Sequence, residues 1–300
     1  MPKRQPPRII TAMSRTVSPE LTRAEDRALY VADEAALAPA LAEIDALRAG
    51  LDALKARNSN LWPAVLGKLK VQWTTDSNAI EGSTLTFAET LFFLQHGLTV
   101  KGKPFKDHLD ARNHADAIEV LFEAVANRRD ISEGLIKEIN AIILSGVRST
   151  PAVDQFGNLV EKPATPGQYK LMPNHVVQFD GSIHRYVDPI QVAVQMATLV
   201  DWVTAHLPTG HPVLVAAIAH YNFVRIHPFD DGNGRGARIL MNLILMKRGF
   251  PPAVIENAER QDYIEALTAA DHGDLQPFAG FVARAVRATL DALIADFAQS

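Results

Sequence analysis

Hydrophobic residues recur at helical spacing along most of the chain. Between Leu37 and Leu54, leucine and isoleucine return every three or four residues, which is the period of an amphipathic helix. Thr86 and Glu89 form a capping-box pattern that predicts the start of another helix. The helical period predicts further helices over about 62–78, 108–127, 132–145, 192–203 and 278–298. These patterns predict a mainly helical protein.

The leucine-spaced helix at 37–54 is open to two interpretations. It permits the seam of a homodimer, or it packs on its own chain. The second interpretation is favoured because the pattern lasts for barely three heptads.

Two stretches break the helical pattern. Residues 1–20 carry prolines and scattered basic residues without periodicity, and we expect a disordered arm there. The stretch 149–189 is rich in proline and glycine and contains the short extended run 176–179 ahead of Asp180-Gly181. We expect loops with one small β-hairpin in this region.

Composition narrows the possible functions. Hydrophobic residues make up 47% of the 300 residues, so the chain can bury a substantial core. It has no cysteine, which excludes disulfides, a thiolate zinc site and a cysteine nucleophile. A net charge of -4 argues against nucleic acid as a partner. The sequence contains no apolar run of membrane-spanning length and no secretory pattern, so we expect a cytoplasmic protein without a membrane partner.

A polar, glycine-rich loop separates two segments, 213–226 and 239–246, that are apolar nearly all round and therefore predicted to be buried helices. The loop reads His227-Pro-Phe-Asp-Asp-Gly-Asn-Gly-Arg235. Pro228 is expected to end the first helix and to leave His227 at its terminus. The glycines let the backbone approach a ligand, and the free N–H groups of the next helix favour an anion.

Three polar side chains follow on one face of that second helix: Arg235, Arg238 and Asn242. With them, the loop offers a base, a carboxylate, an N–H cradle and two guanidinium groups, the parts that phosphoryl-type transfer requires. Asp231 is the candidate Mg²⁺ ligand and His227 the candidate general base. Singly, each residue also fits a structural role, because Asp-Asp-Gly-Asn-Gly is typical of an ordinary turn. Their occurrence together within a dozen residues favours a site.

From His227 to Arg238 the sequence resembles the Fic (filamentation induced by cAMP) family of nucleotidyltransferases. The family motif, His-x-Phe-x-Asp/Glu-Gly-Asn-Gly-Arg-x-x-Arg, is matched at every fixed position. Similarity covers about residues 70–285, including the segments 211–223 and 260–278. The resemblance implies an all-α, mainly helical bundle with one small β-hairpin flap.

The resemblance also implies a protein adenylyltransferase that uses ATP and Mg²⁺. His227 would deprotonate a Ser, Thr or Tyr hydroxyl of a target protein, whose oxygen attacks the α-phosphorus of ATP, while Asp231 holds Mg²⁺. The residues implied to bind the nucleotide are Gly232, Asn233 and Gly234 in the anion cradle, Arg235 and Arg238 at the β- and γ-phosphates, and Asn242 and Tyr263 near the adenine. The target would dock at a flap at about 167–179, where Lys170 replaces the arginine that is frequent in the family.

A second motif lies upstream. Ser77-Asn-Ala-Ile-Glu81-Gly82 matches the family's inhibitory motif, Ser/Thr-x-x-x-Glu-Gly/Asn. Ser77 and Glu81 are four apart and share one helical face; the alternative is a helix end with a surface glutamate before a capping glycine. The resemblance implies a self-inhibited class in which Glu81 pairs with Arg238. The implied organisation is an N-terminal helical region at 21–107 containing an inhibitory helix at about 70–82, then a catalytic core with C-terminal helices at 108–300.

Two other functions remain open from the sequence. Glu81 could orient a water molecule for removal of AMP from a modified protein. Alternatively, the chain could be a catalytically silent regulator that binds a nucleotide. The sequence does not identify the target protein, and nucleotides other than ATP also stay open.

Overall fold

The computed structural model describes residues 8–10, 29–153, 158–177 and 183–298. Most of these residues are helical, which confirms the predicted fold class. The helices in chain order are α1 (Glu34–Arg57), α2 (Trp62–Ile80), α3 (Phe87–His96), α4 (Phe105–Ala126), α5 (Glu133–Ile143), α6 (Pro189–His206), α7 (Pro212–Ile226), α8 (Asn233–Lys247), α9 (Arg260–Asp271) and α10 (Gln276–Ala298). A 3₁₀ turn at Asn257–Glu259 precedes α9.

Local sequence signals set several helix boundaries. The capping box is formed as predicted, with Thr86 accepting from the Glu89 backbone and the Glu89 side chain accepting from the Thr86 backbone. Helix α2 ends at Ile80, Glu81 is its C-cap residue, and Gly82 follows with a φ of 101°, a conformation that glycine adopts readily. The end of α2 thus fixes where the Glu81 side chain leaves the helix.

The β structure is more extensive than the one predicted hairpin. In the described part of the chain, five short strands form one sheet in the order β3-β2-β1-β4-β5. They are β1 (Arg8–Ile10), β2 (Ser149–Val153), β3 (Leu159–Pro163), β4 (His175–Val177) and β5 (Ile183–His184). Strand β1 runs parallel to β2, and the other neighbouring pairs are antiparallel.

The predicted hairpin corresponds to β4 and β5, although 178–179 of its extended run and the Asp180-Gly181 turn lie outside the described residues. The hairpin of β2 and β3 was not expected. Strand β1 lies within the segment 1–20, for which the sequence predicts a disordered arm. At residues 8–10 the structure differs from that expectation, because these residues pair with strands more than a hundred positions away.

Helices α7 and α8 form the centre of the helical core. Nearly every side chain of α7 is buried, and α7 packs against α6, α8 and α10. Helices α4 and α5 cover the other side of α8. The loop between α7 and α8 is therefore held at both ends by buried helices, which confirms the prediction for the segments 213–226 and 239–246.

The leucine-spaced helix packs on its own chain. Leu41, Ile44 and Leu51 of α1 are at most 4% exposed, and α1 lies along α10. The apolar seam is thus covered by the same chain, as the favoured interpretation expected. None of the described helices is both long and apolar enough to span a membrane.

Candidate active site

The loop after α7 turns sharply at His227. This residue caps α7 in the left-handed conformation, with a φ of 51°, and its backbone N–H still donates to the Phe223 carbonyl at 2.9 Å. A non-glycine residue in this conformation carries a cost of about 1–3 kcal/mol, so the surroundings must hold it. Pro228 cannot continue the helix, as the sequence predicted. The turn directs the His227 side chain out of the helical bundle and into the loop.

The His227 side chain is arranged as a neutral base. Its Nδ1 lies 3.4 Å from the Val224 carbonyl, and since a carbonyl only accepts, the proton belongs on Nδ1 and the Nε2 lone pair is left for the site. The Tyr186 ring stacks on the imidazole, with centroids 3.7 Å apart. Burial lowers the pKa of His227 well below its usual value, and the nearby Lys170 charge lowers it further. His227 is therefore unprotonated at neutral pH, as a general base requires.

The amide of Asn233 closes the loop on itself. Its Oδ1 accepts from the Phe229 N–H at 2.9 Å, and its Nδ2 donates to the Phe229 carbonyl at 2.8 Å. Both ends of the amide are therefore used within the loop. Its contribution to a cradle is the backbone N–H at the start of α8.

An asparagine of α5 supports the same loop from outside. Asn140 Nδ2 donates to the Asp231 carbonyl at 3.0 Å, and Asn140 Oδ1 accepts from the Gly167 N–H at 2.9 Å. A side chain at Gly232 would press on Ile143 and Asn140, and Gly232 has a φ of 76°. Glycine is thus required at 232 by both the turn and the neighbouring helix.

The predicted flap segment at 167–179 lies beside the loop as far as it is described, to residue 177. The Lys170 N–H donates to the Pro228 carbonyl at 2.8 Å. Asp230 is buried and accepts from the Thr165 hydroxyl at 2.8 Å, and it forms an ion pair with Lys162 of β3. The first aspartate of the loop is therefore structural and connects the loop to the sheet.

Arg235 points into the protein. It is 3% exposed, and its guanidinium donates to the Asp110 carboxylate of α4 at 2.8 Å. Asp231 lies 3.8 Å away on the other side. Both carboxylates raise the pKa of Arg235 against the effect of burial. In this structure the Arg235 charge, which the resemblance assigned to a phosphate, is thus balanced by Asp110, a residue that no sequence pattern singled out.

Arg238 connects α8 to the end of α2. Its Nε donates to Ser77 Oγ at 2.9 Å, and one terminal nitrogen donates both to the Ser77 carbonyl and to Glu81 Oε1, each at 2.8 Å. The upstream motif and the loop motif, 161 residues apart between Ser77 and Arg238, therefore meet as the resemblance implied.

The Glu81 carboxylate occupies the space in front of the α8 N-terminus. A β-carbon at Gly234 would overlap Glu81 Oε1 and would lie 3.2 Å from the Arg238 guanidinium. Burial raises the pKa of Glu81, but the charge and hydrogen bond of Arg238, together with the charges of Arg235 and Arg260, lower the pKa below its usual value. An ionised carboxylate thus lies where the predicted cradle would hold an anion.

Asn242 and Tyr263 do not form an open adenine pocket. Asn242 is fully buried, and its amide pairs with the Ala253 backbone in both directions, at 2.8 Å and 3.0 Å. Tyr263 is 2% exposed, and its hydroxyl lies 3.1 Å from His220 Nε2 and interacts with Arg238. Asn242 follows Arg238 by four positions on α8, as the predicted shared face requires. However, the hydrogen-bond partners of Asn242 and Tyr263 lie inside the protein.

The carboxylate of Asp231 fits a magnesium ion that is shared with a phosphate. Among the described residues, no cluster of three or more His, Cys, Asp or Glu is placed to hold a metal. Mg²⁺ is often bound by one or two carboxylates together with substrate phosphates and water. Asp231 is one-third exposed and adjoins the α8 N-terminus, so it meets this description as a single protein ligand.

Comparison with known proteins agrees with this geometry. Residues 130–245 match the model described as the Fic/DOC family. A Nematostella vectensis protein named Protein adenylyltransferase Fic is 36% identical over 221 residues, which are 73% of this chain and 47% of the relative. The Drosophila melanogaster protein of the same name is 32% identical over 252 residues, 84% of this chain and 47% of the relative. The chain thus spans about half the length of these curated relatives.

Solved structures give the same result. A Fic domain containing signaling protein from Bacteroides thetaiotaomicron superposes with a TM-score of 0.75 at 28% identity, over 87% of this chain and 97% of that one. Fic-1 from C. elegans superposes with a TM-score of 0.72 at 28% identity, over 87% of this chain and 72% of that one. With the complete loop motif at the junction of α7 and α8, the chain belongs to the Fic/DOC family.

Proposed function

We propose that this chain transfers AMP from ATP to a Ser, Thr or Tyr hydroxyl of a target protein, and that Glu81 holds the activity off. The observation that carries the proposal is the juxtaposition of a neutral His227 with a helix N-terminus that Glu81 occupies. The names of the curated relatives support the same chemistry.

The proposed reaction uses the loop as follows. The target oxygen attacks the α-phosphorus of ATP, the bond to the bridging oxygen of pyrophosphate breaks, and the hydroxyl proton passes to Nε2 of His227. The N–H groups at the start of α8 bind the phosphate oxygens, and the positive end of the α8 dipole stabilises the negative charge of the phosphates. Asp231 would hold Mg²⁺, which supplies charge neutralisation at the phosphates when bound.

The pairing of Arg238 with Glu81 is the basis of the proposed inhibition. With Glu81 in place, the guanidinium already has an anionic partner, and the carboxylate fills the space over Gly234. A triphosphate entering that space meets both a steric obstacle and a like charge. The wild-type chain is therefore expected to show little transfer.

Label transfer tests the proposal. Wild type, Glu81→Gly and the double variant Glu81→Gly/His227→Ala are incubated with cell lysate and Mg²⁺, with ATP labelled either at the α- or at the γ-phosphate. We expect protein labelling from α-labelled ATP only, strong in Glu81→Gly and absent in the double variant. Labelling from γ-labelled ATP would indicate phosphorylation and contradict the proposal, as would an unlabelled Glu81→Gly reaction.

The partial exposure of Glu81 supports a second candidate, the removal of AMP from a modified protein. Its side chain is 42% exposed at the mouth of the cradle, where a carboxylate could orient a water molecule. Supplying an AMP-modified target to the wild-type protein distinguishes the two reactions. Release of AMP that is lost in Glu81→Gly would favour removal over transfer.

A further inference from the structure

Lys170 is a buried lysine behind the loop that carries His227. It lies between β3 and β4 and is 2% exposed. Its Nζ donates to Asn174 Oδ1 at 2.7 Å and to the Ile226 carbonyl at 3.3 Å. A lysine is rarely buried so completely unless it is paired, and the Lys170 ammonium is held by these two oxygen acceptors.

Lys170 and Asn174 together hold the backbone on both sides of His227. The Lys170 side chain binds the carbonyl before His227, and the Lys170 N–H binds the Pro228 carbonyl after it, at 2.8 Å. Asn174 Nδ2 extends the series by donating to the Phe229 carbonyl at 2.7 Å. The left-handed turn at His227 is thus fixed by hydrogen bonds from one short segment.

The Lys170 ammonium also lies close enough to act on the His227 ring by its charge. It is 5.8 Å from the centroid of the Tyr186 ring, and that ring stacks directly on the imidazole. A second positive charge on His227 would face this ammonium in an environment with little water. The same ammonium that orients the loop therefore opposes protonation of the base.

We propose that Lys170 is a positioning residue for His227: it fixes the backbone on both sides of the base and disfavours a positive charge on its ring. The expected effect on kcat rests on the proposed AMP transfer. The expected effect on protonation of the His227 ring does not. Other titratable groups that face the pair are Lys162 of β3, His175 of β4, His184 of β5, Tyr186 and Asp188 ahead of α6, and Asp230 of the loop. All of them are unchanged in the variants below.

The first measurement needs neither ATP nor a target. The imidazole nitrogens of the full chain are followed by NMR against pH in wild type, Lys170→Met and Lys170→Arg, with His227→Ala assigning the signal. Met keeps the apolar length but removes the charge, so we expect the pKa of His227 to rise. Arg keeps the charge, and we expect it to keep the wild-type pKa.

The second measurement follows kcat against pH in the Glu81→Gly background. Activity requires unprotonated His227, so a raised His227 pKa moves the acid limb of the profile to higher pH in Lys170→Met. Burial lowers the pKa of Lys170 itself to about 7, so the displacement is expected to be greatest below that pH, where wild-type Lys170 is charged. Asn174→Ala keeps the Lys170 charge and removes the bonds of Asn174 to Lys170 Nζ and to the His227 and Phe229 carbonyls. It should lower kcat without moving the limb.

The outcomes separate the two proposals. An unchanged His227 pKa in Lys170→Met overturns the positioning proposal, even if kcat falls, because Lys170 would then be a purely structural residue. A raised pKa in a chain that transfers no AMP supports this proposal and counts against the proposed function instead. If Lys170→Met does not fold, Lys170→Gln, which lacks the charge but retains an amide donor, is judged by the same criteria.

Discussion

Replacing Glu81 removes one contact of Arg238 and leaves the others in place. In the folded chain, Arg238 donates to Glu81 Oε1 at 2.8 Å and to Ser77 through two further hydrogen bonds. Glu81→Gly vacates the space over Gly234 and frees one side of the guanidinium. We therefore expect ATP to bind more tightly to the variant than to the wild-type chain.

The size of the effect follows from the exposure of the two partners. A hydrogen bond to a charged group contributes about 1.5–3 kcal/mol when it is protected from water. Arg238 is buried, but the Glu81 side chain is 42% exposed, so solvent screening reduces the contribution to about 1–2 kcal/mol. Since about 1.4 kcal/mol corresponds to a factor of ten, ATP should bind roughly 5–30-fold more tightly once this contact no longer competes.

Calorimetric titration of ATP with Mg²⁺ measures this difference. All variants carry His227→Ala, so that no turnover disturbs the equilibrium. Glu81→Gln keeps the volume and loses the charge, and Glu81→Ala removes the carboxylate without the backbone freedom of glycine. We expect the tightest binding in Glu81→Gly and Glu81→Ala, an intermediate value in Glu81→Gln, and the weakest in the chain that retains Glu81.

Equal ATP affinities in all four proteins would refute the reasoning, because Glu81 would then not compete with the nucleotide. A gain in Glu81→Gly alone would place the effect in the backbone at the end of α2 rather than in the carboxylate. Unfolding curves of the same proteins provide the control, since the variants should differ in stability by no more than the lost contact.

Three further substitutions test individual contacts. Gly234→Ala in the Glu81→Gly background places a methyl group 3.2 Å from the Arg238 guanidinium and should weaken ATP binding roughly tenfold by calorimetry; unchanged affinity would argue against a cradle at the α8 N-terminus. Asp110→Asn leaves the buried Arg235 charge with only a distant carboxylate and should lower the free energy of unfolding by about 2–4 kcal/mol in urea, whereas an unaltered midpoint would show that the pair contributes nothing. Asn242→Ala should cost about 2–3 kcal/mol through the unpaired Ala253 backbone and leave KM for ATP unchanged; a raised KM at normal stability would return Asn242 to the nucleotide pocket.

Local patterns predicted the helices well because each helix carries its own signal. The apolar period, the capping box at Thr86 and the proline after His227 act within a few residues, and the observed helices follow them closely. The sheet lacked such signals. Strand β1 finds its partners at 149–153 and 175–177, and pairings across such distances leave no local pattern.

In the site as well, some contacts were predicted from the sequence and others were not. The family resemblance implied that Glu81 would pair with Arg238, and it does. Spacing placed Ser77 on the same helical face as Glu81, and Ser77 also binds Arg238. The face shared by Arg235 and Asn242 did not reveal their partners, because the partners come from distant segments. Spacing could not identify the residues that support the loop, although one signal was present: Asn140 is a polar residue on the apolar face of α5.

The contacts of Arg238 explain how a site that Glu81 blocks can keep the geometry needed to bind an anion. Ser77 is 1% exposed and holds the guanidinium by two bonds from within α2, whereas Glu81 stands at the end of that helix with its side chain partly in water. Moving Glu81 therefore breaks one exposed contact and leaves the buried ones intact. Arg238 stays oriented toward the α8 N-terminus, and the cradle needs no rebuilding before an anion can bind. A regulator has only to act on the last turn of α2, where the free energy to be overcome is about 1–2 kcal/mol rather than that of unfolding a core helix.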